Sequence, residues 1–231
     1  MTETGSPLTA ADLAALAQLT TPTVANAIEV FDVRSRSTGF LNPSVRAIVG
    51  GEVPLLGYAC TARMRAGSPP QTGAGGLRRQ LWEHILTVPA PRVVVIEDLD
   101  DPPVGAFWGE VQSAIHQALG CVGVVTNGGV RDLAEVRALG FQLFAGAVMV
   151  SHAYVHLVEV GAPVTVGGLR IQPGDLLHGD QHGVVAIPLA LARKIPQAAH
   201  EIEARERTII DLCRSPEFSI ERLSQVYAPY A

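Results

Sequence analysis

A chain of 231 residues that is 48% apolar and 17% charged can fill one sizeable core but not two generous domains. A net charge of −5 argues against a basic grip on nucleic acid, and no apolar run approaches the roughly 20 residues of a membrane span. The lean charge suits a surface partly covered in an oligomer, and three scattered cysteines, Cys60, Cys121 and Cys213, read as reduced core residues of a cytoplasmic protein rather than a zinc or disulfide framework.

Residues 1–8 read as a loose tail with neither the basic start nor the apolar core of a signal peptide, and residues 9–231 as a single domain closed by C-terminal helices. Thr9 caps a helix over Ala10 to Leu19, with Asp12 completing a capping-box-like start. Pro22 opens a second helix, Thr23 to Phe31. Ala47 to Val49 and Leu55 to Ala62 read as strands. The Gly- and Pro-rich stretch from Ala66 to Gly76 predicts a surface loop beside a site, and Leu77 to Leu86 an amphipathic helix. Val93-Val94-Val95-Ile96 is an unbroken β-branched run, as in a strand covered on both faces; Asp98, Asp100 and Asp101 close it, most simply as a solvated turn. Phe107 to Leu119 has a helical period, and Gly120 stops it. After a strand at 122–126 and a helix from Leu133 to Leu139, Gln142 to Ala145 is a further strand. Pro163–Val166, Leu169–Ile171, Asp175–Leu177 and Val184–Ile187 then have the rhythm of hairpins. Leu189 to Cys213 reads as a long polar helix kinked at Pro196, with a charge run over Glu201 to Arg207, and Phe218 to Tyr227 as a short closing helix.

The stretch that carries chemistry is Gly128-Gly129-Val130-Arg131-Asp132. A strand ends, two glycines turn the chain, and a helix begins with a cation and an anion side by side. Helix starts attract anions because their first N–H groups lack partners. An Arg there can grip a carboxylate with two N–H groups, and an Asp beside it can hold a hard divalent cation. That pairing suits a small oxo-acid chelating a metal; an ordinary glycine turn with an acidic first turn reads equally well from the pentapeptide alone. Upstream, Phe107-Trp108-Gly109-Glu110-Val111-Gln112 opens another helix with a Gly and an acid, where first-turn amides at Val111 and Gln112 could face a substrate oxygen. Twenty residues lie between Glu110 and Arg131, room for one helix and one strand, which would return both helix starts to the same sheet edge.

An acid, twenty residues, then Arg-Asp, within the run from Gly123 to Val136, resembles the RraA-like family, which includes class II pyruvate aldolases acting on 4-hydroxy-4-methyl-2-oxoglutarate and 4-carboxy-4-hydroxy-2-oxoadipate. Pro173 to Leu177 and Gly179 to Pro188 match its later strands, so the resemblance spans roughly Thr21 to Leu212. It implies an α/β fold, a swivelling β/β/α sandwich, assembling as a homotrimer or hexamer with the site at a subunit interface. It also implies roles. Asp132 would ligate Mg²⁺, or another divalent cation such as Mn²⁺. Arg131 would hold the carboxylate or keto oxygen, and Gly109, Val111 and Gln112 would line the substrate side. Glu110 stands for the upstream acid, usually Asp in the aldolases, that orients water. Glu206, with Glu203 second, is the best match for an acid supplied by the neighbour's C-terminal helix. The sequence departs from the pattern at Asn127, where many members have Asp, at Glu110, and from Arg63 to Gln80, which leaves the particular substrate open.

The function so implied is a metal-dependent carbon–carbon lyase that cleaves a 4-hydroxy-2-oxo acid to pyruvate, with oxaloacetate decarboxylation as a side activity of the same enolate chemistry. A different class stays open: a non-catalytic RraA-type regulator binding a protein such as a ribonuclease. So does lyase or hydratase chemistry on another oxo- or hydroxy-acid. Other features read more plainly. His152 and His156 stand four apart, as zinc ligands do, but no Glu follows the first and no third ligand is apparent. His178 and His182 flank a Gly-Asp turn. Trp82 and Trp108 suit core or interface, with Trp108 close enough to Glu110 to wall a pocket.

Overall fold

The run Val93 to Ile96 lies at the middle of the fold, in a strand with alternate side chains committed to two different cores. The computed structural model describes residues 7–70 and 76–228. In its first half the elements are α1 (Ala10–Leu16), α2 (Thr21–Glu29), β1 (Arg46–Val49), β2 (Leu55–Arg65), α3 (Leu77–Thr87), β3 (Arg92–Asp98), β4 (Ala106–Trp108), α4 (Glu110–Ala118) and β5 (Cys121–Thr126). There follow β6 (Gly129–Val130), α5 (Leu133–Leu139), β7 (Gln142–Ala145), β8 (Ala147–Val148), β9 (His156–Val160), β10 (Val164–Val166), β11 (Leu169–Ile171), β12 (Leu176–Asp180), β13 (Gly183–Ile187), α6 (Ile195–Arg214) and α7 (Ile220–Tyr227).

The main sheet has the order β1-β7-β5-β3-β2-β12-β13, with β9 also on β2. β2, β3, β5 and β7 are mutually parallel; β1, β9, β12 and β13 run antiparallel to their partners. Period-two alternation divides β3. Val94 and Ile96 pack with α-helical residues such as Val24, Ile85 and Val136. Val93 and Val95 pack on the opposite face with Val164, Val166 and Ile171 of the β10–β11 hairpin. The result is three layers, hairpin on sheet on helices, which is the β/β/α sandwich expected. All four side chains are essentially inaccessible, and burying each contributes on the order of 1.5–3 kcal/mol.

Several local expectations need correction. Residues 106–108 form strand β4 rather than the first turn of a helix, and α4 starts only at Glu110 after an extended Gly109. α2 begins at Thr21, capped by Thr20. α6 starts at Ile195, so Pro196 occupies its first turn, where a missing N–H costs nothing and no kink is required. β9 was not foreseen. Cys60 and Cys121 are buried, but Cys213 is exposed on α6. The expected tail lies outside the described residues up to position 6; beyond it, the Pro7 carbonyl accepts from Arg193 Nη2 at 2.7 Å. Residues 71–75 of the expected loop also lie outside the described residues. Among the described residues no helix is long and apolar enough to cross a membrane.

A second, three-stranded parallel sheet positions the site. β4, β6 and β8 pair in that order, Ala106 with Gly129 and Trp108 with Val130 on one side, Gly129 with Ala147 on the other. Each strand follows β3, β5 or β7 in the chain, so this small ladder sits beyond the C-terminal ends of the parallel strands, where ligands of layered α/β folds gather.

Candidate active site

The small ladder sets the two helix starts side by side. Arg131 N–H donates to the Trp108 carbonyl at 2.9 Å. Asp132 then takes a left-handed conformation, φ 54° and ψ 46°, as the N-terminal cap of α5, without a side-chain capping bond. A non-glycine residue in that region carries a cost of order 1 kcal/mol, and such residues concentrate at functional sites. Its carboxylate is thereby freed from its own helix and reaches α4: Asp132 Oδ2 accepts the Glu110 N–H at 3.1 Å. The glycines serve close approach rather than the turn foreseen. A Cβ at Gly128 would stand 2.8 Å from Asp98 Oδ2, and one at Gly129 would stand 2.3 Å from Met149 Sδ.

A cavity of about 350 Å³ opens here. Gly109, Val111, Gln112, Arg131 and Asp132 all line it. The carboxylate of Glu110 does not; Glu110 is exposed, and what it gives Asp132 is its backbone amide. Glu206 lies on the exposed part of α6, a helix packed against α1, α2 and α7, and lines no part of the cavity. The amides of Val111 and Gln112 precede the first intrahelical bond of α4, Ser113 N–H to the Gly109 carbonyl at 3.0 Å. Arg131 Nε stands 3.7 Å from Asp132 Oδ2, a loose pair with each side chain a little over one-third exposed. Among the described residues the guanidinium has no other ion-pair partner.

The donor set fits a hard divalent cation held mainly by water. Asp132 brings one accessible carboxylate to the cavity, and a glycine at 109 leaves space beside it that a Cβ would fill at 2.3 Å from Oδ2. Among the described residues no group of three His, Cys, Asp or Glu side chains stands together, so a closed zinc-type site is not built here. Mg²⁺, which keeps several waters and takes one or two carboxylates, matches such a sparse set.

The cavity residues not singled out as substrate contacts from sequence include Arg78, His152 and Tyr154. His152 and His156 each turn Nδ1 to a backbone carbonyl, those of Ala153 and Tyr154, and do not converge as zinc ligands would. Trp108 is buried, donates Nε1–H to Ser113 Oγ at 3.0 Å, and stacks on Phe141; it lies behind the cavity rather than on its wall. His116 packs against it at 4.6 Å, and burial drives that imidazole down to about 4, so it is neutral.

Of the three acids at the end of β3, Asp101 is exposed as a solvated turn requires, but Asp98 and Asp100 are not. Asp98 is 4% exposed, and burial pushes its carboxyl up to about 6, against the Asp100 N–H that it accepts at Oδ1. Its Oδ2 is buried with no partner. Asp100 accepts the N–H groups of Ala66 at 2.6 Å and Gly67 at 2.8 Å and pairs with Arg65. Burial would raise that carboxyl, but these donors hold it below the usual carboxylate range. Asn127 both accepts from the Asp98 N–H and donates to the Asp98 carbonyl, each at 2.8 Å. A carboxylate could not do both, which accounts for the amide at this position.

A family profile described as RraA-like, Aldolase/RraA, matches residues 21–186. A relative from Halalkalibacterium halodurans named "Putative 4-hydroxy-4-methyl-2-oxoglutarate aldolase" is 32% identical over 127 residues, which are 53% of this chain and 60% of that protein. The chain thus spans well under two-thirds of that relative's length. Among solved structures, an uncharacterized protein from Pseudomonas syringae pv. tomato superposes with a TM-score of 0.73 at 24% identity, over 96% of both chains. Streptomyces coelicolor RraAS2, described as an unusual member of the RNase ES inhibitor RraA protein family, gives 0.68 at 21% identity, over 88% of this chain and 98% of that one. At these identities the structural likeness concerns the fold.

Proposed function

The chain belongs to the RraA-like, Aldolase/RraA family, and from that premise we propose that it is a divalent-metal-dependent carbon–carbon lyase that cleaves a 4-hydroxy-2-oxo acid to release pyruvate. The observation that carries this reading is the convergence of Arg131, Asp132 and the first turn of α4 on one cavity. Arg131 binds the C1 carboxylate and C2 keto oxygen of the substrate, with the unpaired amides of Val111 and Gln112 directed at the same oxygens. Asp132, held by the Glu110 amide, is the ligand for Mg²⁺ or Mn²⁺, which when bound supplies Lewis acidity to the keto oxygen. In the reaction a base removes the C4 hydroxyl proton, the C3–C4 bond breaks, C4 becomes a carbonyl, and the electron pair passes into the enolate of pyruvate. That enolate is then protonated at C3. Arg131 places fixed positive charge where the enolate oxygen develops. Glu110, beside the cavity, receives the hydroxyl proton through an intervening water.

Glu206 is assigned to the site of a neighbouring copy in a homotrimer or hexamer. Support for a covering subunit is the exposure of Val148 and Val150, 54% and 95%, on the segment leading to His152. The activity is tested by pyruvate release from a panel of 4-hydroxy-2-oxo acids and oxaloacetate, with and without EDTA. Turnover that EDTA abolishes is the expected result. The exposed Ile220 of α7, at 73%, favours the second reading, a regulator binding a protein partner. No turnover on any substrate, with no Mg²⁺ effect on melting, decides for it.

A further inference from the structure

Among the described residues the Asp132 carboxylate has one short hydrogen bond, received from Glu110 N–H at 3.1 Å. Arg131 Nε stands off at 3.7 Å, and no capping bond ties the side chain to α5. The aim of that carboxylate therefore depends on the aim of one peptide group, Gly109–Glu110. A peptide is planar and trans, so its C=O and N–H point in opposite directions. Whatever fixes the Gly109 oxygen fixes the N–H that Asp132 receives.

That peptide needs fixing. A Cβ at residue 109 would meet Asp132 Oδ2 at 2.3 Å, so the position is held by glycine, which constrains the backbone less than any other residue. The main chain supplies one anchor, Ser113 N–H to the Gly109 oxygen at 3.0 Å. A single bond leaves the plane free to tilt. The Ser113 hydroxyl supplies a second, donating from Oγ to the same oxygen at 2.9 Å. Its proton is committed to that direction because Oγ accepts Trp108 Nε1–H at 3.0 Å. Trp108 is 1% exposed and stacks on Phe141, so the chain of bonds starts from a fixed ring. Ser113 is itself fully buried. Serine is a mediocre helix former, and a hydroxyl bonded back to the i−4 carbonyl adds little to a helix. Its value here lies in what the Gly109 oxygen is attached to.

We propose that Ser113 is a positioning residue for the metal ligand, acting through the Gly109–Glu110 peptide to hold the Asp132 carboxylate. The relay runs from Trp108 Nε1–H to Ser113 Oγ–H to the Gly109 carbonyl, and from Glu110 N–H to Asp132 Oδ2. Each link polarises the next in the same sense, which strengthens the last bond. The inference rests on the reading of Asp132 as the ligand for a divalent cation. Trp108 serves the same site a second time, since its carbonyl accepts Arg131 N–H. Groups that orient a metal ligand from outside the coordination sphere commonly contribute about 10–100-fold in affinity. Ser113 acts at one peptide's remove, so the lower end applies.

The test compares the wild-type full chain with Ser113→Ala and with Trp108→Phe/Ser113→Ala. The first variant leaves the Trp108 indole N–H buried without an acceptor, which destabilises by itself; the second removes that orphan, so a purely structural role is repaired. Two quantities are read: the Glu110 amide proton resonance of the metal-free protein by NMR, and the dissociation constant of Mg²⁺ by calorimetric titration. Ser113→Ala should move the Glu110 resonance upfield, as a weakened bond to Asp132 requires. Both variants should bind Mg²⁺ about tenfold more weakly than the wild type. A Glu110 resonance that stays in place, or wild-type Mg²⁺ affinity in the double variant, overturns the role of Ser113 alone. Failure of the wild-type chain to bind Mg²⁺ overturns Asp132 as the ligand, and this inference with it.

Discussion

Asp132 Oδ2 accepts the backbone N–H of Glu110 at 3.1 Å, so a carboxylate ties the beginning of α5 to the beginning of α4. The bond spans 22 residues of sequence and depends on a left-handed backbone at Asp132 and a bare Cα at Gly109. Each of these conditions can be removed separately.

Arg131→Ala is expected to lower kcat/KM for pyruvate release by about 10²–10³, the usual effect of deleting one donor at developing charge. Melting should barely move, because the pair it loses is loose and over one-third exposed, and such pairs contribute about 0–1 kcal/mol. Full turnover in this variant would remove Arg131 from the chemistry.

Asp132→Asn should abolish metal-dependent stabilisation. Mg²⁺ at about 100 times its dissociation constant adds about 2.7 kcal/mol to a protein that binds it only when folded. For a chain of this size that is a rise in Tm of roughly 5–10 °C. Melting with and without EDTA should show the rise in the wild type and none in the variant; an equal rise in both would place the ion elsewhere.

Gly109→Ala separates the geometry from the donor set. The added methyl would meet Asp132 Oδ2 at 2.3 Å, while the extended backbone at 109 is open to any residue. The fold should survive and the carboxylate should be displaced. Circular dichroism unchanged, with turnover and Mg²⁺ stabilisation both reduced, is the expected pattern; unaltered activity would show that the Asp132–Glu110 contact is dispensable.

Asp98→Asn should reverse a pH penalty. Burial raises the Asp98 carboxyl from 3.8 to about 6, so the folded chain keeps a proton that the unfolded chain releases near the ordinary value. The stabilising contribution is complete below the unfolded value and disappears as pH rises through about 6. Above that, wild type holds a buried charge that the amide variant lacks. The variant should therefore gain on wild type by roughly 1–3 kcal/mol as pH rises from about 4 to 7. Parallel stability curves over that range would show that Asp98 stays ionised throughout.

What could be read from the chain was what local pattern encodes. Val93 to Ile96 announces a doubly covered strand because no polar residue interrupts it, and Thr9 with Asp12 announces a capped helix because the cap is made within four residues. Arg131 and Asp132 stood out because a cation and an acid after two glycines are unusual. The rest depends on distant partners. Phe107 and Trp108 continue the helical spacing of Val111 and Ile115, and only pairing with Gly129 and Val130 makes them a strand. Asp98 looks like turn chemistry until Asn127 and Asp100 enclose it. Arg78 carries no local mark, since its place beside Phe107 follows from how α3 packs on β2 and β9.

The clasp at Asp100 has a consequence for how this scaffold can be altered. Because its carboxylate grips the amides of Ala66 and Gly67, the chain leaves β2 from a fixed origin that no side chain at 66 or 67 specifies. Segments of other lengths and compositions spliced in beyond Gly67 are therefore expected to leave the strand that launches them in place. The point where β2 ends is in that sense set by an acid 34 residues away, and the stretch beyond Gly67 is the natural place to graft a foreign loop.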